Sequence, residues 1–347
     1  MAAEGGSDND DLATAGAFAI VGAGSLGLAL AVALAASGQV VTVLGSSNST
    51  ASLLAAGEVH LEGFLDLRAP VSGEAARPGH LCAVDDPARL PPVTGTIFTT
   101  KGHQLEAAVD QVVGAGPGIL GDCWFAGLQN GVVKDDVLTG AFGPGRVLGA
   151  ATVLNARRSD VARVIVGSLG MTYFGELGAP PSPRVTAACE AFGAAGLPAT
   201  VVDDGRSLAW SKFANAVGIF AVTGLTGLST GAMMHRRPLV LAYRSLLEEV
   251  EAVAIAEGVR IGDYPGLPMR TYLNATGDEV ADIMAAQPYD PGGPQSFSSM
   301  AQDIAAGRKT ESEQIFADLA RRGRRHGVPT PRVDLVNDLI SGIDARP

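Results

Sequence analysis

The fold of this chain is decided by the stretch Phe18-Ala-Ile-Val-Gly22-Ala-Gly24-Ser-Leu-Gly27, in which a short apolar strand runs through a glycine turn into a helix of small residues. In this pattern Gly22 permits the tight turn, Gly24 lets a pyrophosphate approach the backbone, and Gly27 lets the helix pack closely on the strand. The backbone N–H groups at the helix start, including those of Ser25 and Leu26, then face the phosphates. The glycine turn therefore predicts a dinucleotide site. A second strand-like run, Val40–Leu44, follows at the distance expected of a strand–helix–strand unit.

The end of this second strand indicates which dinucleotide is bound. An NAD site places Asp or Glu there to bind the ribose hydroxyls, but the first acidic residue after the glycine turn is Glu58, which comes too late in the chain. Ser46, Ser47 and Asn48 stand there instead and can accommodate a 2′-phosphate, although no arginine is present to bind it. NADP is therefore favoured over NAD as the cofactor.

Composition narrows the class of protein. Hydrophobic residues make up 47% of the 347 residues and charged residues 18%, as in globular proteins of this length with two domains. A net charge of −11 argues against binding nucleic acid or an anionic membrane through charge alone. Residues 13–57 carry no charge, but the glycines within them and the acidic residues before them argue against a signal or membrane segment.

The cysteines and histidines predict no metal site. Cys82, Cys123 and Cys189 are odd in number and lack metal-type spacing, which is typical of reduced thiols in a cytoplasmic protein. No histidine is spaced with another His or Cys as metal ligands are.

The order of the predicted elements divides the chain into two domains of the α/β class. Residues 1–15 are predicted to be a disordered acidic leader. Strand signals continue to residue 202, and the pattern then becomes helical. We therefore expect a doubly wound sheet over residues 16–203 and an all-helical domain over residues 204–347. In the second domain we expect an irregular loop over residues 265–294 and a last helix that ends at Gly327.

Two polar residues follow strand-like runs of the first domain. Lys101 follows the run Thr96–Thr100, and Asn130 follows Cys123–Leu128. Ligands of doubly wound sheets bind at the carboxyl ends of strands, so both side chains are candidates to line the nicotinamide site. The alternatives are a solvated lysine at a helix start and an asparagine in a turn.

Lys212 is the only charged residue between Ser207 and Met234, in a segment too apolar to be a surface helix. Burial disfavours an ammonium and lowers its pKa, so a lysine here can serve as an acid or base near neutral pH. The alternative is a lysine with a buried stem and a solvated head. Because Lys212 follows the domain boundary, where a cleft is expected, we favour the catalytic interpretation.

Glu311 is the second acid–base candidate, but the residues around it favour a structural role. Thr310 and Glu313 have the spacing of a capping box, which would place Glu311 in the first turn of a helix. A carboxylate in a first turn is stabilised by the helix dipole whether or not it has a function.

Together these features resemble the ketopantoate reductase (2-dehydropantoate 2-reductase) family over about residues 16–331. Besides the glycine turn, the resemblance rests on four short runs: Thr100-Lys101, Leu128-Gln-Asn130-Gly, Trp210-Ser-Lys212-Phe and Ser298-Ser-Met-x-x-Asp303…Gly-Arg308-x-Thr-Glu311. The last run is specific, and the order of all five makes chance a poor explanation.

The resemblance implies a Rossmann domain followed by a helical domain, with an NADPH-dependent active site between them. It also implies that Lys212 protonates the substrate oxygen as hydride arrives, that Glu311 supports Lys212, and that Ser299 binds substrate. Lys101 and Asn130 correspond to residues that line the cofactor and substrate site. This reverses the structural interpretation of Glu311.

Departures from the family pattern suggest a different substrate. Family members often carry asparagines four and eight residues after the lysine, but in this chain Ala216 and Phe220 stand at those positions. Asn215 remains near the same helix face. Ser296 stands where an asparagine precedes the substrate-binding serine, and Ser46 replaces an arginine after the second strand. We therefore expect the small-molecule substrate to be a 2-keto acid or related carbonyl other than ketopantoate itself. The residues expected to bind it are Asn130, Asn215, Phe220, Ser296 and Ser299.

Three alternatives stay open at this point. Phe220 could pack in the helical core and never meet substrate. The same scaffold could serve an opine-like or imine-reducing dehydrogenase, or a non-catalytic NADP-binding sensor, although a sensor would need neither Lys212 nor Glu311. The assembly state is also open, with a homodimer as one candidate.

Overall fold

The N-terminal domain is built on one extended sheet. The structure, a computed structural model, describes residues 16–116, 121–293 and 295–345, so the predicted leader over residues 1–15 lies outside the described residues. The strands of the sheet are β1 (Ala17–Val21), β2 (Val40–Leu44), β3 (Glu58–Gly63), β4 (Leu67–Ser72), β5 (Leu81–Val84), β6 (Gly95–Phe98), β7 (Trp124–Gly127), β8 (Val147–Thr152), β9 (Asn155–Asp160), β10 (Arg163–Ser168), β11 (Thr172–Glu176) and β12 (Ala199–Val201).

The sheet is doubly wound about β1. Its order is β12-β11-β8-β7-β6-β1-β2-β5-β4-β3-β10-β9, and the strands from β8 through β1 to β4 are parallel. Because side chains alternate across a strand, Phe18 and Ile20 enter the core on one face, whereas Ala19 and Val21 enter the core on the other. The chain leaves β1 for β2 on one side and β6 lies on the other, which places a crevice at the carboxyl end of β1.

The helices of this domain cover both faces of the sheet. They are α1 (Ser25–Ala36), α2 (Ser47–Ala56), α3 (Leu105–Gly114), α4 (Val133–Phe142) and α5 (Pro183–Ala194). α1 is buried from Gly27 to Ala35, since it contacts β2 on one side and the strands β3, β4, β9 and β10 on others. This enclosure explains why α1 is apolar on every face.

The C-terminal domain is a helical bundle around α6 (Gly205–Thr226). The other helices are α7 (Thr230–Met234), α8 (Arg237–Ala256), α9 (Met269–Asn274), α10 (Gly277–Ala285), α11 (Ser299–Ala305), a π-helical turn (Glu313–Ala317) that continues into α12 (Asp318–His326), and α13 (Pro331–Asp344). A two-residue ladder, β13 (Asp263–Tyr264) with β14 (Leu267–Pro268), is the β-structure of this domain in the part of the chain described. The predicted α/β class with a helical second domain is confirmed.

By length and composition α6 alone among the described helices could cross a membrane. Most of it is buried inside the bundle, however, where it packs against α8 and α11. The apolar segment around Lys212 therefore forms part of the core of the helical domain.

Three local predictions in the second domain are wrong. The expected loop over residues 265–294 contains α9 and α10, because Thr276 and Glu279 form a capping box and apolar side chains such as Val280 enter the core. The helix that ends at Gly327 is not the last one, because α13 begins at Pro331. A proline in the first turn of a helix loses no intrahelical hydrogen bond. The third error concerns the segment around Glu311.

No capping box joins Thr310 and Glu313. The Thr310 hydroxyl donates to Asp344 Oδ2 at 2.6 Å and accepts from the Ser312 N–H at 3.2 Å, while Glu313 pairs with Arg321. The Thr310 hydroxyl is therefore bound by Asp344 on α13, a partner distant in sequence, and not by the backbone of Glu313.

An ionic network joins the two domains beside α6. Arg322 on α12 is buried and binds Asp318 on its own helix, Asp136 on α4, and Glu257 after α8. Burial acts to lower the pKa of the Arg322 guanidinium, but Asp318 and Asp136 together outweigh it, so the pKa is raised. The network fixes how the bundle sits on the sheet domain.

Candidate active site

The glycine turn has the geometry that a dinucleotide needs. Gly22 has φ +118°, and a Cβ added there would lie 2.8 Å from Thr100 N. A Cβ at Gly27 would lie 2.0 Å from Gly22 O, so α1 can pack on β1 only with glycine at this position. Both positions therefore exclude a side chain for steric reasons.

Gly24, by contrast, faces open space. The nearest atom to a Cβ built there is Thr99 O at 4.0 Å. Gly24 is the N-cap of α1, no side chain caps this helix, and the first-turn N–H groups of Ser25 and Leu26 have no intrahelical acceptor. The turn thus combines unpaired donors, a favourable helix dipole and room for a pyrophosphate, and the residues fit a dinucleotide cofactor.

The end of β2 lacks a carboxylate. Ser46 is the N-cap of α2 and accepts hydrogen bonds from Ser49 N at 3.3 Å and Ser49 Oγ at 3.0 Å. Ser46, Ser47 and Asn48 are exposed. The segment from the end of β2 to Ala56 thus carries no Asp or Glu of the kind that binds the ribose hydroxyls in an NAD site.

A cation that the sequence did not reveal lies beside the glycine turn. Arg158, on the distant strand β9, donates from Nη2 to the carbonyl of Ala23, the residue between Gly22 and Gly24. The only sequence signal was the pair Arg157-Arg158, which had no local reason to face this loop.

Lys101 joins the two domains rather than lying free over the cofactor site. Its Nζ is 2.7 Å from Asp303 Oδ2 on α11 and 3.9 Å from Glu311 Oε2. Glu311 is buried, and its Oε1 accepts from the Gly102 N–H at 2.8 Å. The loop after β6 is therefore held by two carboxylates of the helical domain, of which Asp303 also binds Arg308.

The resemblance implies that Glu311 supports Lys212, but the two side chains make no direct contact in the described part of the chain. Glu311 is bound by the backbone of Gly102 and lies near Lys101, and no hydrogen bond or ion pair between Glu311 and Lys212 is found among the described residues. The carboxylate lies in the domain interface, where the N–H of Gly102, the first residue of a 3-10 turn (Gly102–Gln104), donates to it.

Asn130 lies at the carboxyl end of β7, as predicted, with its side chain half-buried. Within the described part of the chain its amide makes no hydrogen bond. The next residue, Gly131, has φ +94° and approaches the helical domain, since a Cβ there would lie 2.9 Å from Gln314 O. The amide of Asn130 is thus available at the edge of the domain interface.

Lys212 lies in the N-terminal half of α6 and is half-buried. Burial lowers the pKa of its ammonium to about 8, and no described carboxylate offsets this. Its Nζ makes no hydrogen bond or ion pair with any described residue. An unpaired ammonium with this pKa can hold or release a proton near neutral pH.

The residues that follow Lys212 are occupied within the bundle. Asn215 Oδ1 accepts from the hydroxyl of Tyr243 on α8 at 3.0 Å. Phe220 belongs to the core of the helical domain and is 7% exposed, and Ala216 is 1% exposed. The structure therefore shows the core packing of Phe220 that was left open, and little of its surface is accessible to a ligand.

The three serines near α11 have different surroundings. Ser296 is exposed, and its carbonyl accepts from Thr230 N at 2.9 Å. Ser298 caps α11 and shares a hydrogen bond of 2.7 Å with Thr223 of α6. Ser299 is half-buried and lies one turn before Asp303, so it faces the same side of α11 as the partner of Lys101.

The structure thus places the glycine turn, the ends of β6 and β7, and the start of α11 around one domain interface. Direct contacts bring Lys101 and Glu311 together, and helical spacing places Ser299 on the same face of α11 as Asp303, the partner of Lys101. By contrast, Asn215 and Phe220 lie within the bundle. In residues 16–116, 121–293 and 295–345 no three His, Cys, Asp or Glu side chains are grouped as metal ligands.

Both domains match models of one protein family. Residues 18–179 match the family model described as "Ketopantoate reductase PanE/ApbA", and residues 204–344 match "Ketopantoate reductase PanE/ApbA C terminal". The 2-dehydropantoate 2-reductase of Halobacterium salinarum is 25% identical over 321 residues, which cover 92% of this chain and 96% of that protein. The 2-dehydropantoate 2-reductase of Caulobacter vibrioides is 30% identical over 259 residues, covering 74% and 79% respectively.

Solved structures share the two-domain fold. A 2-dehydropantoate 2-reductase from Geobacter metallireducens aligns with a TM-score of 0.73 and 22% identity, covering 94% of this chain and 99% of that one. A D-mandelate dehydrogenase solved in complex with NADH aligns with a TM-score of 0.75 and 18% identity, covering 94% and 98%. The resemblance inferred from the short motifs is confirmed, and the chain belongs to the ketopantoate reductase family.

Proposed function

We propose that this protein uses NADPH to reduce a 2-keto acid or related carbonyl to the 2-hydroxy product, with Lys212 as the general acid. The observation that carries the proposal is the ammonium of Lys212, which is half-buried, unpaired among the described residues and lowered in pKa to about 8. A general acid is most effective when its pKa lies near the working pH. A lysine with a purely structural role would be expected to have a carboxylate partner or a solvated head.

The residues of the chain divide the remaining work. NADPH, when bound, supplies the hydride that the carbonyl carbon receives. Lys212 Nζ gives the proton to the carbonyl oxygen, so the C=O bond becomes CH–OH and the lysine is left neutral. Asn130 and Ser299 are available to hold the substrate, while Glu311 positions the Gly102 loop.

The substrate is proposed to differ from ketopantoate. Family members often carry asparagines at the positions of Ala216 and Phe220; here both residues lie in the core of the bundle and neither can donate a hydrogen bond, so these positions supply no partner for a substrate hydroxyl. A substrate hydroxyl left unpaired costs about 1–3 kcal/mol. We therefore expect ketopantoate to be reduced with a kcat/KM about 5- to 150-fold below that of a 2-keto acid with an apolar end.

The role of Lys212 is tested by steady-state kinetics on a panel of apolar 2-keto acids with NADPH. Lys212→Ala should lower kcat by roughly 10²–10⁴, while Lys309→Ala, at an exposed lysine of the same domain, should leave it unchanged. Normal turnover by a folded Lys212→Ala protein would contradict the role. A reaction that requires an added amine would favour imine reduction, and cofactor binding without turnover of any carbonyl would favour a sensor.

A further inference from the structure

The cofactor site lacks a cation where the NADPH preference would need one. A 2′-phosphate carries a charge that is usually bound by an arginine after the second strand, and Ser46, Ser47 and Asn48 stand there in this chain. Neutral hydroxyls alone bind a phosphate more weakly than a guanidinium does. The charge must therefore come from another part of the fold if NADPH is preferred.

We infer that Arg158, reaching across from the edge strand β9, binds the 2′-phosphate of NADPH. This inference rests on the proposed function and assigns the determinant of its cofactor preference. Arg158 donates from Nη2 to the carbonyl of Ala23, which fixes its guanidinium at the glycine turn.

The position of Ala23 places this guanidinium next to the end of β2. Gly22 N donates to Leu44 O at 2.8 Å, and a Cβ built on Gly45 would lie 3.2 Å from the Ala23 Cβ. The adenosine ribose of a dinucleotide lies between the glycine turn and the end of the second strand. Arg158 therefore lies on the border of the site that the 2′-phosphate would occupy, together with the exposed hydroxyl of Ser46.

The charge of Arg158 is also uncommitted. Among the described residues no carboxylate forms an ion pair with it, whereas Arg163 on the neighbouring strand pairs with Glu62 at 2.6 Å. Arg158 is exposed, and a guanidinium has five N–H donors, of which one is used on Ala23. The remaining donors can bind a phosphate in the bidentate manner that arginine favours.

The adjacent Arg157 provides a matched control. Successive side chains of a strand point to opposite faces, so Arg157 carries the same charge on β9 without facing the glycine turn. Arg157 is also exposed, and no hydrogen bond or ion pair of its side chain is found in the described part of the chain. An effect of net charge alone would appear equally in substitutions at both positions.

The test is calorimetric binding of two fragments that lack the nicotinamide, ADP-ribose and 2′-phospho-ADP-ribose, to wild type, Arg158→Gln and Arg157→Gln. We expect wild type to bind the 2′-phosphorylated fragment more tightly. Arg158→Gln should weaken that binding roughly 10- to 100-fold, the size of a lost charge-assisted contact, and change ADP-ribose binding less than about threefold. Arg157→Gln should change neither, and thermal melting should show that both variants are folded.

Several results would overturn the inference. Equal weakening for both fragments would assign Arg158 to the pyrophosphate or to the shape of the turn, and no weakening would leave it without a cofactor role. If wild type reduces keto acids with NADPH in either of these cases, the proposed function survives and only the role of Arg158 fails. Wild type that binds neither fragment would overturn both.

Discussion

Replacing Lys212 by methionine should stabilise the folded protein at neutral pH while removing its proposed activity. The pKa of Lys212 falls from its ordinary 10.5 to about 8 on folding, because burial disfavours the charged ammonium. Each pKa unit corresponds to about 1.4 kcal/mol, so a fully buried charge would cost the folded state about 3.5 kcal/mol. Because part of the side chain remains accessible to solvent, we expect a smaller cost of about 2–3 kcal/mol. Methionine keeps an unbranched stem of similar length and has no charge to bury.

The pH dependence of this gain identifies its cause. Below about pH 8 the ammonium is charged in both states, so the full penalty applies and the gain on substitution is largest. Between pH 8 and 10.5 the unfolded chain keeps its proton while the folded protein loses it, so the penalty shrinks, to about 1 kcal/mol at pH 10. It disappears above pH 10.5, where both states are neutral.

Urea unfolding of wild type, Lys212→Met and Lys309→Met at pH 7 and pH 10 measures the effect. The exposed Lys309 should give no change at either pH. A Lys212→Met protein that is less stable than wild type at pH 7, or that gains equally at both pH values, would refute the argument that burial depresses the pKa of Lys212.

Three further predictions concern the site and the domain interface. The kcat/KM for carbonyl reduction should fall about tenfold per pH unit above pH 8, as Lys212 loses its proton; a profile that is flat to pH 10 would exclude it as the acid. Gly27→Ala should lower the melting temperature and abolish dinucleotide binding, since its methyl would lie 2.0 Å from a carbonyl oxygen. Gly24→Ala should leave the melting temperature unchanged and only weaken dinucleotide binding. Calorimetry that finds wild-type binding in both variants would contradict these roles of the two glycines. Arg322→Met should cost about 3–5 kcal/mol in urea unfolding because Asp318 is left buried without its partner, and a loss below about 1 kcal/mol would show that the network is not needed.

The parts of the site that obey local rules could be predicted from the sequence. The glycine turn was one, because the roles of Gly22, Gly24 and Gly27 follow from backbone sterics within a few residues of each other. The partial burial of Lys212 was another. A lone lysine in an otherwise apolar helix must lie within the core or at the border of the core. The doubly wound sheet followed from the alternation of strand and helix signals.

The parts that depend on distant partners could not be predicted. β9 carries a run of exposed polar residues and pairs, among the described strands, with β10 alone at the edge of the sheet, so it lacks the alternation that marks a strand. The bond from Arg158 to Ala23 spans 135 positions in the chain, and that from Gly102 to Glu311 spans 209. Local capping rules assigned Glu311 to a helix start, but its partner lies in the other domain.

The enclosure of α1 has a consequence for how the protein is made. This helix has no polar face, yet its neighbours β9 and β10 are more than a hundred residues further along the chain. During synthesis α1 therefore emerges with an apolar surface that β2, β3 and β4 can cover only in part until β10, which ends at Ser168, has left the ribosome. The helix whose N–H groups open the candidate cofactor site thus stays partly exposed to chaperones and aggregation until β9 and β10 have been made, and it is fully enclosed only after these late strands have joined the sheet.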